Sequence, residues 1–411
     1  MPQKKQHRLV FFDNLRAILI ILVVVLHSIG GFGAIPGVRT AAATSGAMLL
    51  YYLEMVLEAF LMSALFFVAG YFALPSLVSR SPAAFLAVKL RRLGAPLVVG
   101  AFLLVPTGCF LQTLLYSVFT DTPHPGYLTF FAHYVSGALR PQIGLGWTLS
   151  DFSHGWLWFL SLLLFFQVIA WAVYYLIRLS LRSRPSTENT AKSTFLLGIP
   201  VQAGVIVLTA LSFWVIDYYL PGRQFYTIWN VLLVQPDKVV FYAAFYCLGI
   251  WGYRGNWFRS GGRSPFPVAF WSPVCTAALI VFLAIVPRYS GSESLTNWFR
   301  FSYSCVQSVL CFSLIAVSSA AVFMKWRVSS RFSRFLARNA YAVYIIHFPV
   351  VLLFKYPLMT AYSVPPLFGF SLVLAGSLAA SYLLSELFVR PHPYIATGAL
   401  ILINGVLVWL A

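Results

Sequence analysis

Acidic side chains are scarce in this chain: 10 Asp and Glu among 411 residues, with only 9% charged residues of either sign. A soluble domain carries about 25% charged residues, so a soluble globular fold is excluded. Cysteine is equally sparse. Cys109, Cys247, Cys275, Cys305 and Cys311 lie in or beside apolar segments with no metal-ligand spacing. That excludes a disulfide framework or a thiolate metal site and leaves them as small core residues. The chain also lacks a Gly-rich nucleotide loop, an internal repeat, a low-complexity linker and any polar stretch long enough for a soluble domain.

What the chain has in excess is apolar surface. It is 60% hydrophobic and 17% aromatic, including 12 Trp and 22 Tyr, and its mean hydropathy is +0.83. About eleven apolar windows follow one another, at roughly 11–30, 47–74, 93–119, 155–177, 194–216, 237–253, 267–287, 301–324, 340–358, 366–388 and 395–411. The sixth and the last are the weakest. The expected fold is an all-α membrane protein, a polytopic bundle of about 10–11 transmembrane helices in one domain over 1–411. The longest connection, 120–154, reads as an external loop rich in Pro, Gly and His, of the kind that serves as a lid or binding surface. SRPSTENTAK, Ser183 to Lys192, reads as a solvated loop on the opposite side.

A formal charge of +18 would point to nucleic acid in a soluble protein. Here its distribution reports topology instead, and no nucleic-acid partner is expected. Alternate connections separate the basic residues. One side takes Lys4, Lys5, Arg8, Arg80, Lys89, Arg91, Arg92, Arg178, Arg182, Arg184, Lys192, Arg254, Arg259, Arg263, Lys325, Arg327, Arg331, Arg334, Arg338 and Arg390. The other keeps only Arg39, Arg140, Arg223, Lys238, Arg288, Arg300 and Lys355. The positive-inside rule then puts the N-terminus in the cytoplasm.

The chain is organised around RLVFFDNLRAILIILVVVLHSIGG, Arg8 to Gly31. This segment can cross a bilayer yet carries Asp13, Arg16 and His27, and a cleaved signal peptide tolerates such charges badly. Arg16 and His27 lie ~16 Å apart along the axis and within about 20° of one face. Ionisable groups at such depths line a protein interior or a hydrated cavity. His27 is suited to take a proton from a hydroxyl near neutral pH; the alternative is a buried histidine bonded to a neighbouring helix.

Glu54 and Glu58, one turn apart, fall near the depth of His27. One of them would orient an imidazolium, or one or both would be protonated and bond between helices. Lys89, Arg91 and Arg92 form either a surface anchor or a clamp for the phosphates of a donor. His154, Trp156 and Trp158 in SHGWLWFL form either an interfacial belt or a platform for a sugar. In RNAYAVYIIHFPVV, His347 is expected in the inner half, near the depth of Arg16, with Arg338 beside it and Glu386 and Arg390 following in SELFVRP. A packed histidine is its alternative role.

These segments together resemble the acyltransferase 3 family of membrane-bound O-acyltransferases. Within it they resemble the branch without an appended esterase-like domain, which includes the protein that succinylates osmoregulated periplasmic glucans. The marks are Arg-x10-His at Arg16 and His27 after FFDNLR, then FFVAGYF (Phe66 to Phe72), the basic segment ending in Pro96, WLWFL (Trp156 to Leu160), YAVYIIHFPVV and SELFVRP, in order from Phe11 to about Pro391. The family's basic pair is usually two arginines three apart; here Lys89 and Arg92 keep the charge but lose bidentate recognition at the first position.

The resemblance implies transfer of an acetyl, succinyl or similar group from cytoplasmic acyl-CoA to a hydroxyl of an extracytoplasmic glycan or related acceptor. His27 would be catalytic, with Asp13, Arg16, Glu54 and Glu58 assisting. Arg16, Lys89, Arg92, Arg338 and His347 would engage the donor, and His154, Trp156 and Trp158 the acceptor. It further implies a bacterial inner membrane, membrane lipids as neighbours, no tightly bound cofactor and no metal, while self-association stays open. A proton-coupled transporter or exporter would use the same intramembrane charges. The inverted repeats many transporters show are not visible in the sequence.

Overall fold

A chain crossing hydrocarbon must satisfy every backbone N–H and C=O within itself, and the helix does so segment by segment. The computed structural model describes residues 10–32, 45–120, 123–140, 142–145, 151–181, 198–220, 224–258, 264–291, 295–326, 328, 330–360 and 364–410. The solvated loop expected at 183–192 lies outside them. Among the described residues, nine helical runs are long and apolar enough to cross a membrane. The protein is an all-α polytopic membrane protein.

Its elements are α1 (Val10–Ile29) and α2 (Ser45–Val78), then one rod made of α3 (Pro82–Lys89), α4 (Ala95–Val99) and α5 (Val105–Thr120) joined by two π-helical turns. An amphipathic α6 (Tyr127–Ala138) and β1 (Ile143–Leu145) follow, then α7 (Trp158–Leu181) and α8 (Gly198–Tyr219). β2 (Tyr226–Ile228) and β3 (Leu232–Val234) precede α9 (Pro236–Arg254), α10 (Val268–Gly291), α11 (Asn297–Lys325) and α12 (Arg331–Thr360). The chain ends with α13 (Pro366–Leu384) and α14 (Pro393–Leu410). The two weakest windows, α9 and α14, both fall outside the nine. α9 carries Asp237, Lys238 and Arg254, and α14 is shorter.

The 120–154 connection is not the irregular loop its composition suggests. Tyr127, Phe130 and Tyr134 recur at helical spacing and bury one face of α6. β1 pairs antiparallel with β2, and β2 with β3, in a three-stranded sheet. The β2–β3 turn places Trp229 and Asn230 at positive φ of 52° and 56°. Asn230 Nδ2 donates to the carbonyls of Gly137 at 2.9 Å and Arg140 at 3.1 Å, tying this hairpin to the end of α6.

Two helix contacts position the site. α2 meets α9 almost backbone to backbone. A Cβ at Gly70 would lie 2.0 Å from the Tyr246 carbonyl oxygen, and one at Gly249 2.2 Å from that of Phe67. Small residues at a crossing permit such approach. α1 packs along α12 in parallel: Arg16 reaches Ala337 near the start of α12, whereas His27 meets His347 and Lys355 further along.

Candidate active site

Eleven residues separate Arg16 from His27 on α1, and ten separate their neighbours Ala337 and His347 on α12. The two helices therefore climb in register. At the upper end, the rings of His27 and His347 have centroids 5.2 Å apart, tilted by 37°. Phe348 meets the His27 ring edge-on at 5.1 Å. His27 is half-buried and His347 wholly so. His347 thus lies at the depth of His27, not that of Arg16. The difference has a physical cause: α12 begins at Arg331, well before its apolar window, and the register of α1 against α12 is set by packing.

The same end holds a cation that sequence reasoning did not place in the site. Lys355, 5% exposed, donates from Nζ to the His27 carbonyl at 2.8 Å. It lies within electrostatic reach of the His27 ring and of Glu54. Glu58 interacts with Glu54 one turn away and with Tyr242 on α9. Glu54 therefore faces the cluster by way of Lys355, and Glu58 faces α9. Charge distribution alone puts Lys355 with the exterior connection; it sits instead eight residues beyond His347 on a helix that continues to Thr360.

At the lower end, Arg16 Nη2 lies 3.4 Å from both Asp13 Oδ1 and the Ala337 carbonyl. Asp13 thus belongs with Arg16, about four helical turns from His27. One turn beyond Ala337, the Tyr341 hydroxyl donates to the Arg92 carbonyl, bringing the basic segment to the same stretch of α12. Lys89 lies over the Phe85 ring at 5.1 Å, in the field of Arg80 and Arg92. Arg91 and Arg92 sit in a π-helical turn, Leu90–Gly94, a distortion frequent at functional sites. Arg338 is committed elsewhere: its Nη2 meets Glu386 Oε1 at 2.5 Å, and Arg390 joins at 3.0 Å. Asn339 donates to the second oxygen of Glu386 at 2.7 Å.

Of the two roles open to the tryptophans, a belt or a sugar platform, neither is laid out at a free surface: both rings lie inside the bundle. Trp156 is 2% and Trp158 8% exposed. Trp156 stacks on Phe348 at 4.6 Å, and its Nε1 donates to the Ile345 carbonyl at 2.9 Å. On its other side Gly108 makes room for it, since a Cβ there would lie 2.6 Å from the indole. The Tyr344 hydroxyl returns a bond to the Trp156 carbonyl at 2.7 Å. The start of α7 is thereby clamped to α12 beside His347. Trp158 packs against Phe225 and Tyr242. His154 is buried too, and burial pushes its imidazole down to about 4, opposed by a hydrogen bond to the Asn230 carbonyl. Their burial follows from packing: the 154–158 segment turns into α7 beneath the β2–β3 hairpin rather than at a free surface.

Among the described residues no group of three or more His, Cys, Asp or Glu is arranged to hold a metal ion. What the seam assembles is a base-capable imidazole, a second imidazole, a buried ammonium and a carboxylate at one end, with guanidinium and ammonium groups at the other. That set can accept a proton and stabilise negative charge in a low-dielectric setting. A family model described as an acyltransferase domain matches residues 9–386. No curated protein and no solved structure matches the chain.

Proposed function

The chain belongs to the acyltransferase family whose model spans residues 9–386, and from that membership we propose a membrane O-acyltransferase that uses acyl-CoA as donor. A small acyl group, acetyl, succinyl or similar, passes to a hydroxyl of a glycan or related acceptor on the other side of a bacterial inner membrane. The positive-inside rule makes the basic face cytoplasmic, with the N-terminus on that side.

One observation carries this reading: α1 and α12 run in register, with Arg16 at one end of their seam and the His27 cluster at the other. CoA is polyanionic, and Arg16, Lys89 and Arg92 supply positive charge where α12 begins. The ~16 Å from Arg16 to His27 is a span the pantetheine arm can bridge, so the thioester reaches the second face while the nucleotide stays on the first. His27 takes the proton of the acceptor hydroxyl as its oxygen attacks the thioester carbon. The C–O bond forms, the C–S bond breaks, and the proton passes from the imidazolium to the departing thiolate. Lys355 supplies positive charge beside the developing oxyanion.

The test is transfer of label from acyl-CoA to a glycan acceptor by purified protein in proteoliposomes. His27→Ala should lose activity by about 10²–10⁴-fold while keeping the wild-type elution profile. Undiminished transfer by that variant would remove His27 from the reaction. Proton-driven uptake without label transfer would favour a transporter.

A further inference from the structure

His347 holds a lone pair that no hydrogen-bond donor among the described residues takes up. Its Nδ1 lies 2.6 Å from the Tyr344 carbonyl. A carbonyl only accepts, so Nδ1 carries the proton and Nε2 presents a lone pair. That Nε2 is buried with no hydrogen-bond partner among the described residues, on a side chain with no exposed surface. Buried acceptors are nearly always satisfied, and an unsatisfied one carries a desolvation cost. The ring is also held firmly. Tyr344, to which it is tied, bonds the Trp156 carbonyl, and Trp156 grips Ile345 and stacks on Phe348.

The nearest functional ring is His27. A hydrogen bond of about 2.9 Å between ring nitrogens, plus about 1.2 Å from each nitrogen to its ring centre, spans the 5.2 Å seen between the centroids. With Nδ1 tied back to its own helix, Nε2 is the end of the ring directed away from α12, and α1 is the helix packed there. The half-buried His27 ring therefore lies within the separation that one N–H···N bond between the two rings requires.

We infer that His347 is the positioning residue for His27: its Nε2 accepts the N–H of one His27 nitrogen and so presents the lone pair of the other to the acceptor hydroxyl. The inference rests on the acyl-transfer reading and gives that site its orienting group. It is the place a carboxylate holds in a Ser-His-Asp arrangement, filled here by a neutral imidazole. When His27 takes the hydroxyl proton, both its nitrogens carry hydrogen, and the bond to Nε2 holds the imidazolium until the thiolate leaves with that proton. His347 gains and loses no proton in the cycle.

The test compares His347→Phe, which keeps a ring but removes the acceptor, with His347→Gln, whose amide oxygen reaches the Nε2 position. Phe should lower kcat about 100-fold with KM for acyl-CoA within about twofold, and Gln should restore at least about a tenth of wild-type kcat. A second readout needs no turnover. Diethyl pyrocarbonate acylates an unprotonated imidazole nitrogen and releases ethanol and carbon dioxide. Its rate at His27, followed by mass spectrometry, should fall about tenfold in His347→Phe and be largely restored in His347→Gln. Equal rates in wild type and folded His347→Phe, or Gln no better than Phe, would overturn the assignment. If His347→Phe does not fold, His347→Asn replaces it, since its short amide reaches the Tyr344 carbonyl but leaves the Nε2 position empty. Should wild type transfer no acyl group to any acceptor, the acyl-transfer reading falls, while the His27 modification rates still decide the role of His347.

Discussion

Lys355 reaches across from α12 to the backbone carbonyl of His27 at 2.8 Å. The contact fixes the end of α1 against α12 and sets an ammonium beside the imidazole it would assist. A buried ammonium is stable only with partners, and here they are that carbonyl and the nearby Glu54. Lys355→Met should therefore destabilise the protein, and so should Glu54→Gln, because each leaves the other charge less compensated. The double variant should lose less than the sum of the two by about 1 kcal/mol, read from thermal unfolding in detergent. Strict additivity would show that the two groups are not coupled.

The FFVAGYF stretch belongs to the scaffold. Gly70 within it lies where α2 and α9 touch, and Gly249 answers from the other helix. The obstacle to a Cβ at either position is backbone, which cannot swing aside. Gly70→Ala should cost about 2–3 kcal/mol and lower the yield of folded protein. Gly204, in the interior of α8 with nothing near its would-be Cβ, is the control: Ala there should stabilise by about 0.5–1 kcal/mol. A Gly70→Ala variant as stable as wild type would show that the crossing opens freely.

The helices were legible because length and hydropathy alone set a spanning segment, and the Arg16–His27 stripe followed from helical pitch. What eluded the sequence was lateral. No local pattern says that α1 pairs with α12, so neither the depth of His347 nor the approach of Lys355 to His27 can be read from spacing. Nor does an apolar motif reveal whether its tryptophans face a ligand or a neighbouring helix, and Trp156 faces Phe348. The small sheet escaped because its turn uses Trp229 and Asn230 at positive φ in place of the Asn-Gly or Asp-Gly signal such turns favour. α6 was readable in principle from Tyr127, Phe130 and Tyr134, but its Pro- and Gly-rich surroundings masked the spacing.

The basic segment makes a sided prediction. The Tyr341 hydroxyl draws the Arg92 backbone to α12 one turn from Ala337, where Arg16 also attaches. If these cations hold the phosphates of the donor, replacing Lys89 and Arg92 by Gln should raise KM for acyl-CoA by about tenfold or more, as loss of charge-assisted bonds requires. KM for the acceptor should stay within about twofold. Equal weakening of both substrates would mean that the segment shapes the fold and does not clamp the donor.

The last prediction concerns pH, at a histidine outside the spanning segments. His154 is 6% exposed, and burial lowers it from 6.5 to about 4. Between those values the unfolded chain binds a proton there that the folded chain refuses. Stability from this group is therefore complete above about pH 6.5 and declines as pH falls toward 4. The decline amounts to about 2 kcal/mol by pH 5, at 1.36 kcal/mol per pH unit. His154→Gln keeps a polar group toward the Asn230 carbonyl but cannot titrate. Its stability should vary less between pH 7 and pH 5 than that of wild type, by about that amount, in unfolding followed by intrinsic fluorescence. Identical pH dependence in the two proteins would mean that His154 ionises freely where it stands, and that the hairpin above it opens to water without cost.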